Sequence, residues 1–305
     1  MSREISLIFP GQGSQHAGML DSTLISKYKD LISNSSDLLK FNIIDILSSD
    51  EKLNQTSYTQ PSLLLTSYIH FLEFTKINSN PLKYVAGHSL GEYTALVASE
   101  AINFYDGLEL VYKRGNLMES APKGLMAAII GLEVDAIIDL CAHDQNKHNS
   151  IVSAANINSP IQTVIAGDPE AVERVCDLAK TGGAKRAIIL NVSVPSHCML
   201  MTGPALKFND CLDTINISKP KINLIQNFTG NLENTPSKIK SNLINQLTNS
   251  VQWTLTMQVI KDSDSMVVEC GPGKVLSGIA KSNKVIDTLS TSSDNFKDML
   301  SKINE

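Results

Sequence analysis

An apolar run that ends at a glycine turn and passes at once into a helical pattern restricts the fold of this chain more than any other feature, and it occurs twice. ISLIF at residues 5–9 leads into Pro10-Gly11-Gln12-Gly13-Ser14 and then a helical periodicity that lasts to about Lys40. KYVAGH at 83–88 leads into Ser89 and a helix over 90–99. A strand that feeds a helix before the next strand calls for crossover connections, so the strands run parallel and helices cover both faces of their sheet. Two more helices are predicted over 62–76, with Pro61 in the first turn where its missing N–H costs nothing, and over 105–119.

From Gly124 the rhythm changes. GLMAAIIGL reads as a strand, 134–142 as a helix, 150–155 and 161–166 as strands joined by a tight Asn/Ser/Pro turn, 169–180 as a helix and 184–193 as a strand. Strand, helix, two strands, helix, strand is the ferredoxin-like order. The expected organisation is a large α/β domain made of 1–123 and 195–305, with a small ferredoxin-like subdomain, 124–194, inserted in it. The body resumes at Val194-Pro195-Ser196-His197 and continues through a strand at 222–226, a helix at 237–247 and a strand at 265–269. The loop Cys270-Gly271-Pro272-Gly273 follows, and the chain ends in an amphipathic helix around 295–303.

Composition narrows the function. Of 305 residues 42% are hydrophobic and 19% charged, with a net charge of −5, which fits a globular protein and gives no basic surface for nucleic acid. The apolar stretch near the N-terminus is too short for a signal peptide and no run reaches membrane-spanning length, so the expected location is the cytoplasm, without a membrane partner. Cys141, Cys176, Cys198, Cys211 and Cys270 are widely spaced and contain no CxxC pair, so reduced, mostly buried thiols are expected rather than disulfides or a zinc site. Arginine is scarce, confined to Arg3, Arg114, Arg174 and Arg186, so its planar fork should matter where it is used.

Ser89 lies in Gly87-His88-Ser89-Leu90-Gly91. Ser89 with Glu92 ahead of an apolar run makes a capping box, in which both side chains serve the helix start. A cap leaves the glycines unexplained, since Gly91 in a first helical turn and Gly87 at a strand end each cost stability. A nucleophile on a sharp strand-to-helix elbow needs both, because side chains there would crowd the backbone around a strained serine. The helix N-terminus behind it supplies N–H groups for developing negative charge. The loop Gly11-Gln12-Gly13 lacks the GxGxxG and Walker patterns of nucleotide sites. Its better use is a second N–H facing the elbow, completing an oxyanion hole.

A serine hydroxyl needs a base. Among the six histidines, His16 and His70 sit in helical patterns, His143 and His148 flank a polar loop, and His88 on its strand points away from the serine. His197 remains, in the loop after Pro195; a lone loop histidine is by default a surface residue, so it stands as a candidate only. Arg114, on the helix downstream of the serine, is either a solvated cation or the bidentate partner of a substrate carboxylate.

Eight stretches in order span nearly the whole chain: FPGQGSQ at 9–15, TQPSLL at 59–64, GHSLGEYTAL at 87–96, KRGNLM at 113–118, NINSPIQTVIAG at 156–167, VSVPSH at 192–197, QLTNSVQWT at 246–254 and ECGPGKVL at 269–276. Together they resemble the malonyl-CoA:acyl carrier protein transacylase family, in its stand-alone bacterial form. The resemblance implies a hydrolase-like α/β body with a ferredoxin-like insertion and an active site between them. It implies Ser89 as nucleophile, His197 as base and Arg114 as binder of the malonyl carboxylate. It implies the main-chain N–H groups of Gln12 and Leu90 as the oxyanion hole, and the main-chain carbonyl of Gln246 as the acceptor that orients the histidine.

The implied reaction moves a malonyl group from CoA to the phosphopantetheine thiol of acyl carrier protein through a malonyl-serine, with no metal or redox cofactor. Acyl carrier protein and a CoA thioester are then the partners, and a monomer is the expected state. An acidic carrier would need a local basic rim, for which Lys113, Lys185, Arg186, Lys274 and Lys281 are candidates, each otherwise an ordinary surface cation. Trp253 is read as core. Two other readings are a serine thioesterase or hydrolase, which turns over without a carrier thiol, and a non-catalytic carrier-docking subunit, which needs none of Ser89, His197 and Arg114.

Overall fold

A computed structural model describes residues 3–192 and 194–304. The strands in chain order are β1 (Ile5–Phe9), β2 (Leu82–Gly87), β3 (Leu125–Ile130), β4 (Val152–Ser159), β5 (Gln162–Gly167), β6 (Arg186–Ile189), β7 (Asn223–Leu224), β8 (Met266–Glu269) and β9 (Thr288–Ser290). They form two sheets. The order β7-β2-β1-β8-β9 makes a parallel sheet, and β4-β5-β3-β6 an antiparallel one.

The parallel sheet is buried on both faces for the reason its sequence suggests. Every residue of β1 is buried. Ile5, Leu7 and Phe9 project into the larger apolar cluster, while Ile8 projects with Ala86 and Val267 into a second cluster around Trp253 and Met257, the two-residue alternation of a strand between two layers. Trp253 is thus core, as expected. In the antiparallel sheet the helices Val134–His148 and Pro169–Thr181 supply Ile137, Cys141, Val172 and Cys176 to a separate cluster against Ala127 and Ile165. Strand, helix, strand, strand, helix, strand is the ferredoxin-like order, so the fold is a hydrolase-like α/β body carrying a ferredoxin-like unit.

Several expected elements differ. The second long helix runs Thr56–Ile77, so Pro61 lies inside it rather than in its first turn. The extra turn survives because Thr56, Ser57, Thr59, Gln60 and Pro61 are all buried, packed so closely beneath the helix Phe104–Glu119 that a Cβ on Gly115 would lie 2.8 Å from the Ser57 Cα. Burial of that turn outweighs the hydrogen bond that proline cannot donate. The helix expected over 134–142 continues to His148, held by the bidentate bond from Arg174 to the buried Asp144 and ended by Asn149 in the left-handed region. His143 and His148 therefore sit on that helix, and His16 in a loop.

Strand β4 extends through the expected turn to Ser159, so the tight connection is Pro160-Ile161. β6 is shorter than the expected 184–193, whose last residue, Ser193, lies outside the described residues. Helices Thr202–Asp213, Trp253–Asp262 and Val275–Ser282 have no counterpart in the sequence reading. The closing amphipathic helix is present as Phe296–Asn304.

Candidate active site

The elbow is built by glycines that no side chain could replace. At the carboxyl end of β2 the chain turns through Ser89, whose φ of 51° lies in the left-handed region that costs an L-residue of order 1 kcal/mol or more. The helix Gly91–Ala98 begins two residues later. A Cβ on Gly87 would fall 1.9 Å from the Gly91 carbonyl carbon, and one on Gly91 would fall 2.1 Å from the Phe9 oxygen. Asn227 holds the strained turn from below: its Oδ1 accepts from the Ser89 N–H at 2.6 Å and its Nδ2 donates to the Gly87 carbonyl at 2.6 Å.

The capping box is not formed. Leu90 occupies the cap position without a side-chain bond, and Glu92, with no exposed surface, turns away into the protein. There it accepts from Gln226 Nε2 at 3.0 Å, from the Asn227 N–H at 3.3 Å and from Gln246 Nε2 at 2.6 Å. Burial pushes its carboxyl up to about 7, against the pull of those donors and of Arg114.

The serine oxygen is free for other work. It lies 2.8 Å from His197 Nε2, although the two residues are 108 positions apart. His197 Nδ1 is 2.6 Å from the main-chain carbonyl of Gln246. A carbonyl can only accept, so Nδ1 carries the proton and Nε2 is left to accept from the Ser89 hydroxyl. His197 is itself left-handed, with φ 63°, and 2% exposed. Burial, then the nearby Arg114 cation, lowers it to about 3, so it is an uncharged acceptor at neutral pH.

Arg114 is 1% exposed and aimed at the same point. Its Nη1 donates to Gln60 Oε1 at 3.0 Å and its Nη2 to Gln246 Oε1 at 3.0 Å, with Ser89 Oγ 3.5 Å from Nη2. Its guanidinium lies over the Tyr93 ring, 5.3 Å from the centroid, and its Nε has no hydrogen-bond partner. No carboxylate forms an ion pair with it among the described residues, so the guanidinium is held in place by amides and keeps its charge.

These groups open on a cavity of about 240 Å³ between the two sheets. Gly11, Gln12, Ser89, Leu90 and Arg114 line it from the body, and Met126, Ala128 and Val164 from the antiparallel sheet. His88, expected to point away, contributes to its wall with Nε2 2.8 Å from Asn158 Oδ1 and its ring edge-on to Trp253. The structure thus brings Ser89, His197, Arg114, Gln246, Gln12 and Leu90 to one place. Of the rim candidates, Lys113 is paired with Glu109, Lys185 and Arg186 are exposed at β6, and Lys274 and Lys281 are exposed at the two ends of the helix Val275–Ser282, whose Val275, Leu276 and Ile279 line the cavity.

An acyl transferase domain matches residues 6–289 of the chain. A Haemophilus influenzae protein named malonyl CoA-acyl carrier protein transacylase is 42% identical over 92% of each chain, and the Salmonella typhimurium protein of the same name is 39% identical over 96% of each. The chain belongs to the malonyl CoA-acyl carrier protein transacylase family. Solved members share its fold. The Coxiella burnetii transacylase superposes with a TM-score of 0.95 at 34% identity, over all of this chain and 99% of that one. A malonyl-transacylase solved in complex with a type II PKS acyl-carrier protein superposes at 0.92 and 37% identity, over 97% and 98%.

Sequence reasoning missed part of this transacylase site. Gln60 lay in TQPSLL and Glu92 in GHSLGEYTAL, two of the stretches that carry the resemblance, but neither was given a role in the site, Glu92 being read as a cap partner; Gln226 figured only as the end of a strand, and Asn227 was not singled out. Each works through a contact made across 16 to 140 positions of chain, which local pattern cannot register.

Proposed function

We propose that the chain transfers a malonyl group from malonyl-CoA to the phosphopantetheine thiol of acyl carrier protein. The observation that carries this reading is the convergence on one oxygen: Ser89 Oγ lies 2.8 Å from an uncharged imidazole nitrogen and 3.5 Å from an unneutralised guanidinium. A base alone suits any acyl substrate. A buried cation beside the nucleophile suits one whose acyl group ends in a carboxylate.

In the first half-reaction Ser89 Oγ attacks the thioester carbon while His197 Nε2 takes its proton, with the Gln246 carbonyl holding the ring and stabilising the imidazolium. The tetrahedral oxyanion is received by the main-chain N–H groups of Gln12 and Leu90, a pair of donors worth roughly 3 kcal/mol each in comparable sites. Arg114 engages the malonyl carboxylate through its fork. The C–S bond breaks, the proton returns from His197 to the CoA sulfur, and Ser89 is left as its malonyl ester. In the second half the carrier thiol gives its proton to His197, its sulfur attacks the ester, and Ser89 is regenerated. The chemistry needs no metal or redox cofactor.

The cleft lies between a body of 1–123 and 195–305 and a small subdomain of 124–194, whose wall sets Met126, Ala128 and Val164 beside the polar Asn156, Asn158 and Gln162 and narrows the approach to the ester. The carrier approaches over the exposed Lys185, Arg186, Lys274 and Lys281. No described helix is long and apolar enough to cross a membrane. With the substrates above, a cytoplasmic monomer is the form we propose.

Mass spectrometry of the protein after mixing with malonyl-CoA tests the reading. A malonyl group on the peptide containing Ser89, persisting until a carrier thiol is added, is the expected result. Rapid release of free malonate without carrier would instead identify a hydrolase.

A further inference from the structure

Glu92 has no place in the reaction written above and does not line the cavity, yet it is a fully buried carboxylate three hydrogen bonds from the chemistry's centre, through Gln246 and Arg114 to Ser89. All its partners donate. Gln226 Nε2 reaches Oε1, while the Asn227 N–H and Gln246 Nε2 reach Oε2, so these donors satisfy the ionised, acceptor-only carboxylate, the form that predominates above the value of about 7 to which burial raises it.

The consequence falls on the Gln246 amide. Its Nε2 is committed to Glu92 at 2.6 Å and to the Ser89 carbonyl at 3.0 Å, which turns its Oε1 towards Arg114 Nη2, 3.0 Å away. An amide flipped by half a turn would set NH2 against guanidinium, donor against donor, and carbonyl oxygen against carboxylate. Glu92, together with the Ser89 carbonyl, therefore decides which end of Gln246 meets the arginine. The spacer matters equally. In a direct ion pair the carboxylate would occupy the fork that a substrate needs. One amide removed, it offsets part of the cost of burying the cation while leaving Nη2 beside Ser89.

We propose that Glu92 is a positioning residue for substrate selection: through the Gln246 amide it holds Arg114 ready for a carboxylate-bearing acyl group. This rests on the reading of Arg114 as the partner of the malonyl carboxylate. The selection is set from beneath the elbow, by a carboxylate that touches neither the substrate nor the serine hydroxyl.

Kinetics of Ser89 loading from malonyl-CoA and acetyl-CoA test it. Glu92→Gln is expected to lower kcat/KM for malonyl-CoA about 10- to 100-fold more than for acetyl-CoA, with part of the loss in KM. In an Arg114→Ala background the same change should add less than about twofold, because the group it acts through is gone. Equal losses for the two acyl groups, or the same loss in both backgrounds, would mean a purely structural role and overturn the proposal. Should Glu92→Gln fail to fold, Gln246→Met, which keeps the main-chain carbonyl on His197, is judged by the same two comparisons. Failure of the underlying reading looks different: the unaltered protein would not load malonate on Ser89, or Arg114→Ala alone would leave the preference for malonyl intact.

Discussion

Arg114→Ala separates charge recognition from the rest of the machinery. A substrate carboxylate bound by the fork lies at roughly 4 Å from the guanidinium carbon, where opposite unit charges attract by about 4 kcal/mol at an effective dielectric near 20. Burial at 1% exposure keeps solvent from screening that attraction. Removing the cation also strips the Gln60 and Gln246 amide oxygens of their donors, at roughly 1–3 kcal/mol for each buried acceptor left unpaired. The second cost falls on every acyl substrate and on stability; the first falls on malonyl alone. Loading of Ser89 from malonyl-CoA should therefore drop about a thousandfold relative to loading from acetyl-CoA. The assay is single-turnover loading of both thioesters followed by intact-mass spectrometry, with thermal melts to register the shared stability cost. Arg114→Lys, which keeps charge without the fork, should lie between. An unchanged malonyl-to-acetyl ratio in Arg114→Ala would refute the reasoning.

Further outcomes follow from the packing at the elbow and from the burial of His197. Gly91→Ala places a Cβ 2.1 Å from the Phe9 carbonyl oxygen, backbone against backbone, and should cost about 3 kcal/mol or more, visible as a lower Tm. Gly203→Ala, at an exposed position in the first turn of the helix Thr202–Asp213 with open space around it, should raise Tm slightly or leave it unmoved; equal effects of the two would contradict the packing account. Asn227→Ala frees the strained Ser89 turn and should slow loading from malonyl-CoA and acetyl-CoA by a common factor of about ten, so a change in their ratio would count against its role as a clamp. His197, lowered to about 3 by burial and by Arg114, stays unprotonated well below its ordinary value of 6.5, so the acid limb of Ser89 loading from acetyl-CoA, which does not draw on Glu92, should fall below pH 6; a midpoint at 6.5 or above for that substrate would be inconsistent with that environment. The same depression has a sign for stability: between 6.5 and about 3 the unfolded chain binds a proton that the folded one refuses, so stability falls as pH drops through that window.

What sequence alone determined was whatever depends on neighbours along the chain. An apolar run, a glycine-flanked serine and an amphipathic continuation specify strand, elbow and helix, because strand pairing and helical hydrogen bonds follow the local alternation of side chains. The same reasoning delivered the ferredoxin-like order and the buried cysteines, four of them fully so. It also located Ser89, whose glycines make sense only where a Cβ would strike backbone. Pattern also offered His197, Arg114 and the loop Gly11-Gln12-Gly13 as candidates; resemblance then implied their roles and added Leu90 and Gln246, which pattern had not singled out.

Tertiary structure decided the remainder. Pro61 sits inside a helix because packing against the helix bearing Gly115 outweighs a local preference. Glu92, which by spacing should cap its own helix, instead meets donors from residues 226, 227 and 246, because a carboxylate buried with three donors is better satisfied than one shared with a left-handed serine. Hydrogen bonds, burial and the neutrality of His197 depend on distances through space, and folding sets those distances independently of separation along the chain.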